Sequence, residues 1–226
     1  MSIRKKVLLL VGSSKQKQKG SSWLLGSFLL KSLSANDFEA KTLHLASLIN
    51  SEKWIEELID AINHCSLIIF SSPLYANSLP SFVIRVMDEI KANKKNINGS
   101  KQIFVISNCG YPEARQNIPA LCSYRQFAKD MNFNWLGALS FGMGSLLCRW
   151  HFLNIFGMFN RIKKAISISA AAISQNETIP LIAQEIAAKP LIPMKLYNFL
   201  ANLSFRKTIA LNLFMNFMQT NFRGGK

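Results

Sequence analysis

A chain of 226 residues is long for one compact domain and short for two, so one domain with extensions is expected. Hydrophobic residues make up 49% of it and charged residues only 17%, which is enough apolar material for a full core. The formal net charge of +15 is opposite to that expected of a small acidic electron carrier. This charge suggests a nucleic-acid or anionic-membrane partner. No nucleic-acid fold signature accompanies it, so we favour the interpretation as an ordinary basic surface.

The four cysteines are widely spaced and form no CxxC pair, which disfavours a zinc or iron–sulfur site and fits a reducing cytoplasm. The short apolar run Val7–Val11 has no small-residue cleavage site after it, so it predicts a first strand rather than a signal peptide. Two longer uncharged stretches, Ser66–Ile84 and Met131–Cys148, contain prolines or glycines and do not suggest transmembrane helices. A cytoplasmic protein without a metal is predicted.

Apolar strand-like runs alternate with helical patterns over the first two thirds of the chain, which predicts an α/β fold with a parallel sheet. The predicted strands are Lys6–Val11, Glu39–Leu45, Ser66–Phe70, Gln102–Ser107 and Phe133–Gly142. The predicted helices are Ser22–Leu33, Glu52–Asn63, Pro80–Ala92 and Ile118–Met131, with Asn93–Lys101 as a surface loop. The pattern indicates a flavodoxin-like doubly wound sheet of five strands in the order 2-1-3-4-5. Its ligand site is expected where strands 1 and 3 end.

The last third of the chain has a different pattern, and three further helices are predicted there. They cover Arg149–Ser174, Ile179–Ala188 and Met194–Phe222. Residues 1–148 are therefore predicted to form the main domain, and residues 149–226 a helical extension that packs on it or lies at a dimer interface. Trp150, Phe152 and Phe156 could belong to such an interface. Alternatively, the last helix, with Lys195, Arg206, Lys207 and Arg223, could contact an anionic membrane.

The loop after the first strand, GSSKQKQKGSSW at Gly12–Trp23, leads directly into a helix. Serine hydroxyls, backbone amides and a helix amino terminus form an anion site, and Lys15, Lys17 and Lys19 add positive potential. Neither GxxxxGK[ST] nor GxGxxG is present, so a phosphomonoester is the expected ligand rather than a nucleoside triphosphate or a dinucleotide. Taken alone, the loop fits a serine-capped turn equally well.

Two more loops carry groups suited to a flat ligand. LIIFSSPLYANSLP, Leu67–Pro80, ends a buried apolar run in a loop that offers a tyrosine and backbone amides but no nucleophile–base pair. SNCGYPEARQ, Ser107–Gln116, offers a glycine, a tyrosine for stacking and a glutamate acceptor. By itself this third loop is explained as a glycine turn before a helix.

Together, GSSK…GSS, SSPLYANSLPSFVIRVMDE and NCGYPE resemble the three flavin loops of the flavodoxin-like NAD(P)H-dependent FMN reductase and quinone reductase superfamily, over about Lys6–Gly144. The resemblance implies that the FMN phosphate is held by Ser13, Lys15, Ser21 and Ser22. It implies an isoalloxazine ring lined by Pro73, Leu74, Tyr75, Ala76, Asn77 and Ser78, and closed on its other side by Asn108, Cys109, Gly110 and Tyr111. The spacer in the first loop is longer than is usual in the family, and Lys15 stands where an arginine is common.

The resemblance implies an FMN-dependent oxidoreductase that takes hydride from NAD(P)H and passes electrons to a quinone, a flavin or another small organic acceptor. It also implies a homodimer. The cofactor would do the redox chemistry, so no catalytic acid or base is required. Two alternatives stay open at this point: a non-enzymatic FMN-binding electron carrier, which the basic charge disfavours, and a basic membrane-surface-binding protein on the same fold.

Overall fold

The computed structural model describes residues 5–14, 20–34, 38–147, 157–200 and 202–203. The chain divides into two compact units, Met1–Leu191 and Ile192–Lys226. The first unit contains the sheet and all the elements named below. In the second unit the described residues form a helix over 194–200. No helix among the described residues is long and apolar enough to cross a bilayer.

The sheet has five parallel strands in the order β2-β1-β3-β4-β5, which confirms the predicted topology. The strands are β1 (Lys5–Val11), β2 (Phe38–His44), β3 (Leu67–Pro73), β4 (Gln102–Asn108) and β5 (Asn134–Phe141). Strand β3 continues three residues beyond its predicted end, because Ser71, Ser72 and Pro73 keep pairing with β4. The two serine hydroxyls find partners inside the protein, which removes the usual cost of burying them.

Helices cover both faces of the sheet, and their positions follow the predicted ones closely. They are α1 (Ser21–Ser34), α2 (Leu45–Leu48), α3 (Trp54–Asn63), α4 (Ser81–Ala92), α5 (Ile118–Met131), α6 (Gly144–Leu147), α7 (Met158–Ser174) and α8 (Leu181–Ala188). One face of the sheet packs with α3, α4 and α5 into a continuous core around Phe70, Tyr124 and Phe127. The alternation of strand side chains therefore places every second residue of the central strands in this core, such as Leu8 and Leu10, Ile68 and Phe70, and Ile103 and Val105.

The predicted surface loop Asn93–Lys101 is mostly exposed, but its last residue is not. Lys101 is only 4% exposed, and its ammonium group donates to the carbonyl oxygens of Cys65 at 2.7 Å and Asn63 at 3.3 Å. Burial lowers the pKa of this lysine. Two carbonyl oxygens take the place of water around the ammonium group, which offsets part of the cost of burying it.

Helices α7 and α8 belong to the first unit and pack on the sheet domain. The ring of Phe159 meets Phe28 of α1 edge to face at 4.9 Å between centroids. The amide of Ile179 donates to Leu136 of β5 at 2.8 Å, and its side chain fills the space beside Gly137, whose φ is +119°. These contacts cross the predicted boundary at residue 148, and that domain division stays a prediction.

Some predictions for the last third fall outside the described residues. These are Arg149–Phe156, which includes Trp150, Phe152 and Phe156, and all but nine residues of Met194–Phe222.

Candidate functional site

The first loop leaves β1 through Gly12, which lies against β3 and α4. Its amide donates to the carbonyl oxygen of Ser71 at 2.8 Å. A Cβ at Gly12 would lie 2.7 Å from both Ser72 Cβ and Val83 Cγ2, so this close approach requires glycine. Ser13 follows and is buried. Lys15 lies in the segment 15–19, outside the described residues.

The chain then enters α1 at two serines with different environments. Ser21 is half-buried, and its hydroxyl donates to Oδ1 of Asn108 at 2.8 Å. Ser22 is 1% exposed: its Oγ accepts a hydrogen bond from Asn108 Nδ2 at 2.9 Å, and its carbonyl oxygen accepts one from Ser71 Oγ at 2.6 Å. Ser21 therefore lies nearer the accessible edge, whereas Ser22 lies inside.

The second loop makes a tight turn immediately after β3. Tyr75 and Ser78 exchange two backbone hydrogen bonds of 2.9 Å, and the residues between them, Ala76 and Asn77, have φ angles of 45° and 62°. This double left-handed geometry is that of a tight two-residue turn. All four of these residues are exposed, whereas the two before them, Pro73 and Leu74, are buried.

A hydroxyl pair joins the second loop to the first. The hydroxyl of Tyr75 lies 3.1 Å from Oγ of Ser14, a residue to which the sequence analysis assigned no role. Its only sequence signal is its position in the serine pair after β1. The contact shows that the loops after β1 and β3 meet, as expected at this sheet edge.

The third loop begins inside the protein and then reaches the edge. Asn108 and Cys109 are buried, whereas Gly110 is exposed and Tyr111 is 45% exposed. A Cβ at Gly110 would meet nothing within 4 Å, so open space lies beside this backbone. The thiol of Cys109 lies within 3.8 Å of three carbonyl oxygens, and burial raises its pKa. Cys109 therefore packs inwards as a protonated thiol.

A fourth loop, Gly142–Gly144, also supports the site and was missed from the sequence. The amide of Met143 donates to Tyr111, and that of Gly144 to Cys109, both at 2.6 Å. Met143 is buried with a φ of 56°. The sequence signal was a Gly-Met-Gly immediately after the fifth strand, which marks a turn with close backbone packing.

The groups at this edge fit a flat ligand with an anionic tail. Tyr75 and Tyr111 provide two exposed rings, and Ala76 and Asn77 provide exposed backbone between the paired ends of the turn. The start of α1, whose first amides lack helical acceptors, suits a phosphate. No cluster of metal-ligating side chains occurs among the residues that the structure describes.

The family model for NADPH-dependent FMN reductase matches residues 5–120, which span the first three loops. The chain belongs to this family. It is accordingly an NAD(P)H-dependent flavin oxidoreductase with FMN as cofactor, and the predicted family is confirmed. No curated protein matches the sequence significantly.

Solved structures share the fold at low sequence identity. RosB, with a bound 8-demethyl-8-formylriboflavin-5′-phosphate intermediate, has a TM-score of 0.58 and 10% identity, over 88% of this chain and 87% of that one. The NADH:FMN oxidoreductase EMOB in its apo form has a TM-score of 0.57 and 12% identity, over 84% of this chain and 97% of that one. The Trp repressor binding protein of Bacillus subtilis has a TM-score of 0.51 and 16% identity, over 71% of this chain and 95% of that one. These similarities establish the fold.

Proposed function

We propose that this FMN reductase family member binds FMN at the edge formed by the loops after β1, β3 and β4, and transfers electrons from NAD(P)H to a quinone, a free flavin or another small organic acceptor. The observation that carries the proposal is the convergence of these loops. Ser14 contacts Tyr75, and Asn108 contacts both Ser21 and Ser22. Three separate segments thus form one surface.

The phosphate end is assigned to the first loop and to the start of α1. The first amides of the helix are positioned to receive an anion, and Ser21 lies beside them with its hydroxyl proton directed to Asn108. Ser13 and Lys15 are proposed contacts from the resemblance, and Ser22 would support the site from inside.

The ring end is assigned to the second and third loops. The turn from Tyr75 to Ser78 is exposed, and the open space beside Gly110 leaves room for a planar group. The tyrosine rings at 75 and 111 would cover apolar ring surface and exclude water. When bound, FMN would supply the hydride-accepting chemistry, so these residues need only bind and orient.

The experiment is an absorption spectrum of the purified chain before and after addition of FMN, followed by NADPH or NADH. We expect a perturbed flavin spectrum, bleaching by a nicotinamide, and recovery on addition of a quinone. Binding with only slow bleaching by both nucleotides would favour an electron carrier. A chain that takes up no FMN would contradict the proposal and favour the surface-binding alternative.

We further propose that the chain is a homodimer, with the partner seated in a groove of about 640 Å³ between α4 and α5. The groove begins at Asn77 and Ser78 of the ring loop and includes the exposed Ile84. A second copy there would shield the apolar side chain and complete the wall of the site.

An Ile84→Glu substitution should therefore shift the protein to monomer and lower its turnover, as measured by light scattering and NADPH oxidation. Leu181→Glu, at an exposed residue of α8, is the matched control and should change neither. A wild-type chain that is monomeric at all concentrations would contradict the dimer.

Two further expectations belong to the same proposal. A cytoplasmic location stays a prediction. Contact of the carboxy-terminal helices with anionic membranes also stays a prediction, which co-sedimentation with anionic vesicles at low and high salt would test.

A further inference from the structure

Asn108, the last residue of β4, connects three segments through its side chain. Its Oδ1 accepts a hydrogen bond from Ser21 Oγ at 2.8 Å. Its Nδ2 donates to Ser22 Oγ at 2.9 Å and to the carbonyl oxygen of Ser72 at 3.3 Å. The residue is 2% exposed, so the side chain makes these bonds inside the protein.

The hydrogen-bond chemistry fixes the orientation of this amide. The carbonyl oxygen of Ser72 can only accept, so the NH₂ group must face it and the oxygen must face Ser21. Ser21 therefore directs its proton towards Asn108, whereas Ser22 receives a proton and keeps its own for another acceptor. One side chain thus sets the orientation of both hydroxyls in the first turn of α1.

The backbone of Asn108 performs a separate task. Its carbonyl oxygen accepts the amide of Leu74 at 2.8 Å, at the start of the loop assigned to the flavin ring. A change of side chain leaves this bond in place. The side chain therefore acts on the phosphate end, and the backbone on the ring end.

We propose that Asn108 is a positioning residue that aligns the first turn of α1 for the phosphate of FMN. The resemblance in sequence placed Asn108 beside the ring, whereas the contacts of its side chain assign it to the phosphate end. This inference rests on the proposed function. It makes Asn108 a determinant of the preference for FMN over riboflavin, which lacks the phosphate.

The test compares Asn108→Leu with a matched control, Asn117→Leu. Asn117 is also buried at this end of the sheet. Its side chain bonds to Ser107, Ser140, the carbonyl oxygen of Phe141 and the thiol of Cys109, and none of these partners belongs to α1. Fluorescence titrations should show that Asn108→Leu raises the Kd for FMN about tenfold more than the Kd for riboflavin. Asn117→Leu should leave the ratio of the two constants at the wild-type value.

Asn108→Asp provides a second readout with little change of shape. An ionised carboxylate cannot donate to Ser72 and would repel the phosphate. Near neutral pH this variant should therefore also have a Kd for FMN that rises more than its Kd for riboflavin. In acid the protonated carboxyl regains one donor, so the ratio of the two Kd values of the variant should approach that of wild type at the same pH. The titrations at neutral and at acid pH both use the aspartate variant, so the test does not depend on whether the leucine variant folds.

Each remaining outcome counts against the inference. Equal weakening of FMN and riboflavin in both Asn108 variants would show that the side chain supports the ring or the fold, and would overturn it while the proposed function stands. An aspartate variant with a wild-type ratio at all pH values would do the same. A wild-type chain that binds neither flavin would overturn the proposed function together with this inference.

Discussion

At the scale of single residues, the carboxyl ends of β3 and β4 bury several polar side chains, and each of them has a partner. Ser71 donates to Ser22, Ser72 contacts Tyr124, and Ser107 donates to Asn117. An unpaired buried polar group costs about 1–3 kcal/mol, so these pairs are needed for stability as well as for the shape of the edge. They fix the strand ends from which the three loops depart.

The buried pair of Ser72 and Tyr124, whose oxygens lie 2.7 Å apart, gives the first prediction at this scale. Tyr124→Phe should lower the free energy of unfolding by about 1–2 kcal/mol, because Ser72 is left without its partner. The double variant, which also carries Ser72→Ala, should lose less free energy of unfolding than the two single variants lose in sum. Urea unfolding of the four proteins measures this coupling, and strict additivity would show that the contact contributes nothing.

Cys65 gives a prediction about pH. Burial raises the pKa of its thiol from 9.0 to about 11, although the nearby Lys101 acts in the opposite direction. Between these values the unfolded chain has lost the proton and the folded chain keeps it, so rising pH favours unfolding. The resulting loss in free energy of unfolding reaches about 3 kcal/mol at most.

Urea unfolding between pH 9 and pH 11, the window set by that shift, should show a steeper fall in stability for wild type than for Cys65→Ala. Cys122→Ala, which removes an exposed thiol, should keep the wild-type slope. Parallel curves for all three proteins would contradict the burial argument.

At the scale of elements, the junction between β1 and the first loop is set by a glycine. Gly12→Ala should lower the free energy of unfolding by about 1–3 kcal/mol, because the added methyl would press on Ser72 and Val83 in a packed region. It should also weaken flavin binding by moving the first loop away from the second.

Gly110→Ala is the matched comparison, since its methyl would meet nothing within 4 Å. Its thermal unfolding should match wild type, whereas its flavin affinity should fall because the methyl enters the space proposed for the ring. Thermal scans and flavin titrations of both variants measure the difference. If Gly110→Ala bound FMN as wild type does, the ring would lie elsewhere.

At the scale of the whole molecule, α7 and α8 contribute to the core of the first unit. Residues buried by these helices and the connection between them include Phe159, Ile162, Ile166, Ile173 and Ile179. Each such side chain contributes about 1.5–3 kcal/mol of burial. Their sum is comparable to the total stability of a domain, about 5–15 kcal/mol.

A chain ending at residue 157 should therefore lack a cooperative unfolding transition, whereas a chain ending at residue 191, where the first compact unit ends, should keep one. Circular dichroism during urea unfolding distinguishes them. A cooperative transition in a chain ending at residue 148 would instead support the domain boundary that the sequence predicts.

The regular elements could be predicted because their signals are local. The bare apolar run of β3 and the 3.6-residue period of α5 each record burial within one segment, and the alternation of such segments specifies a parallel sheet. The end of β3 was predicted too early because serine is usually a loop residue. Ser71 and Ser72 can be buried because their hydroxyls bond to residues distant in sequence. Ser71 bonds to Ser22, and Ser72 to Tyr124.

By itself, the sequence determined the order of the strands, the family and the three loops that meet at one edge of the sheet, because periodicity and motifs are properties of neighbouring residues. The tertiary structure decided what each polar residue of those loops contacts. It buried Ser22 and Asn108, exposed Tyr75 and Tyr111, and added the loop at Gly142–Gly144. The reason is physical: a hydrogen bond between residues 86 positions apart, such as that from Asn108 to Ser22, depends on how strands and helices pack, and no local pattern records it.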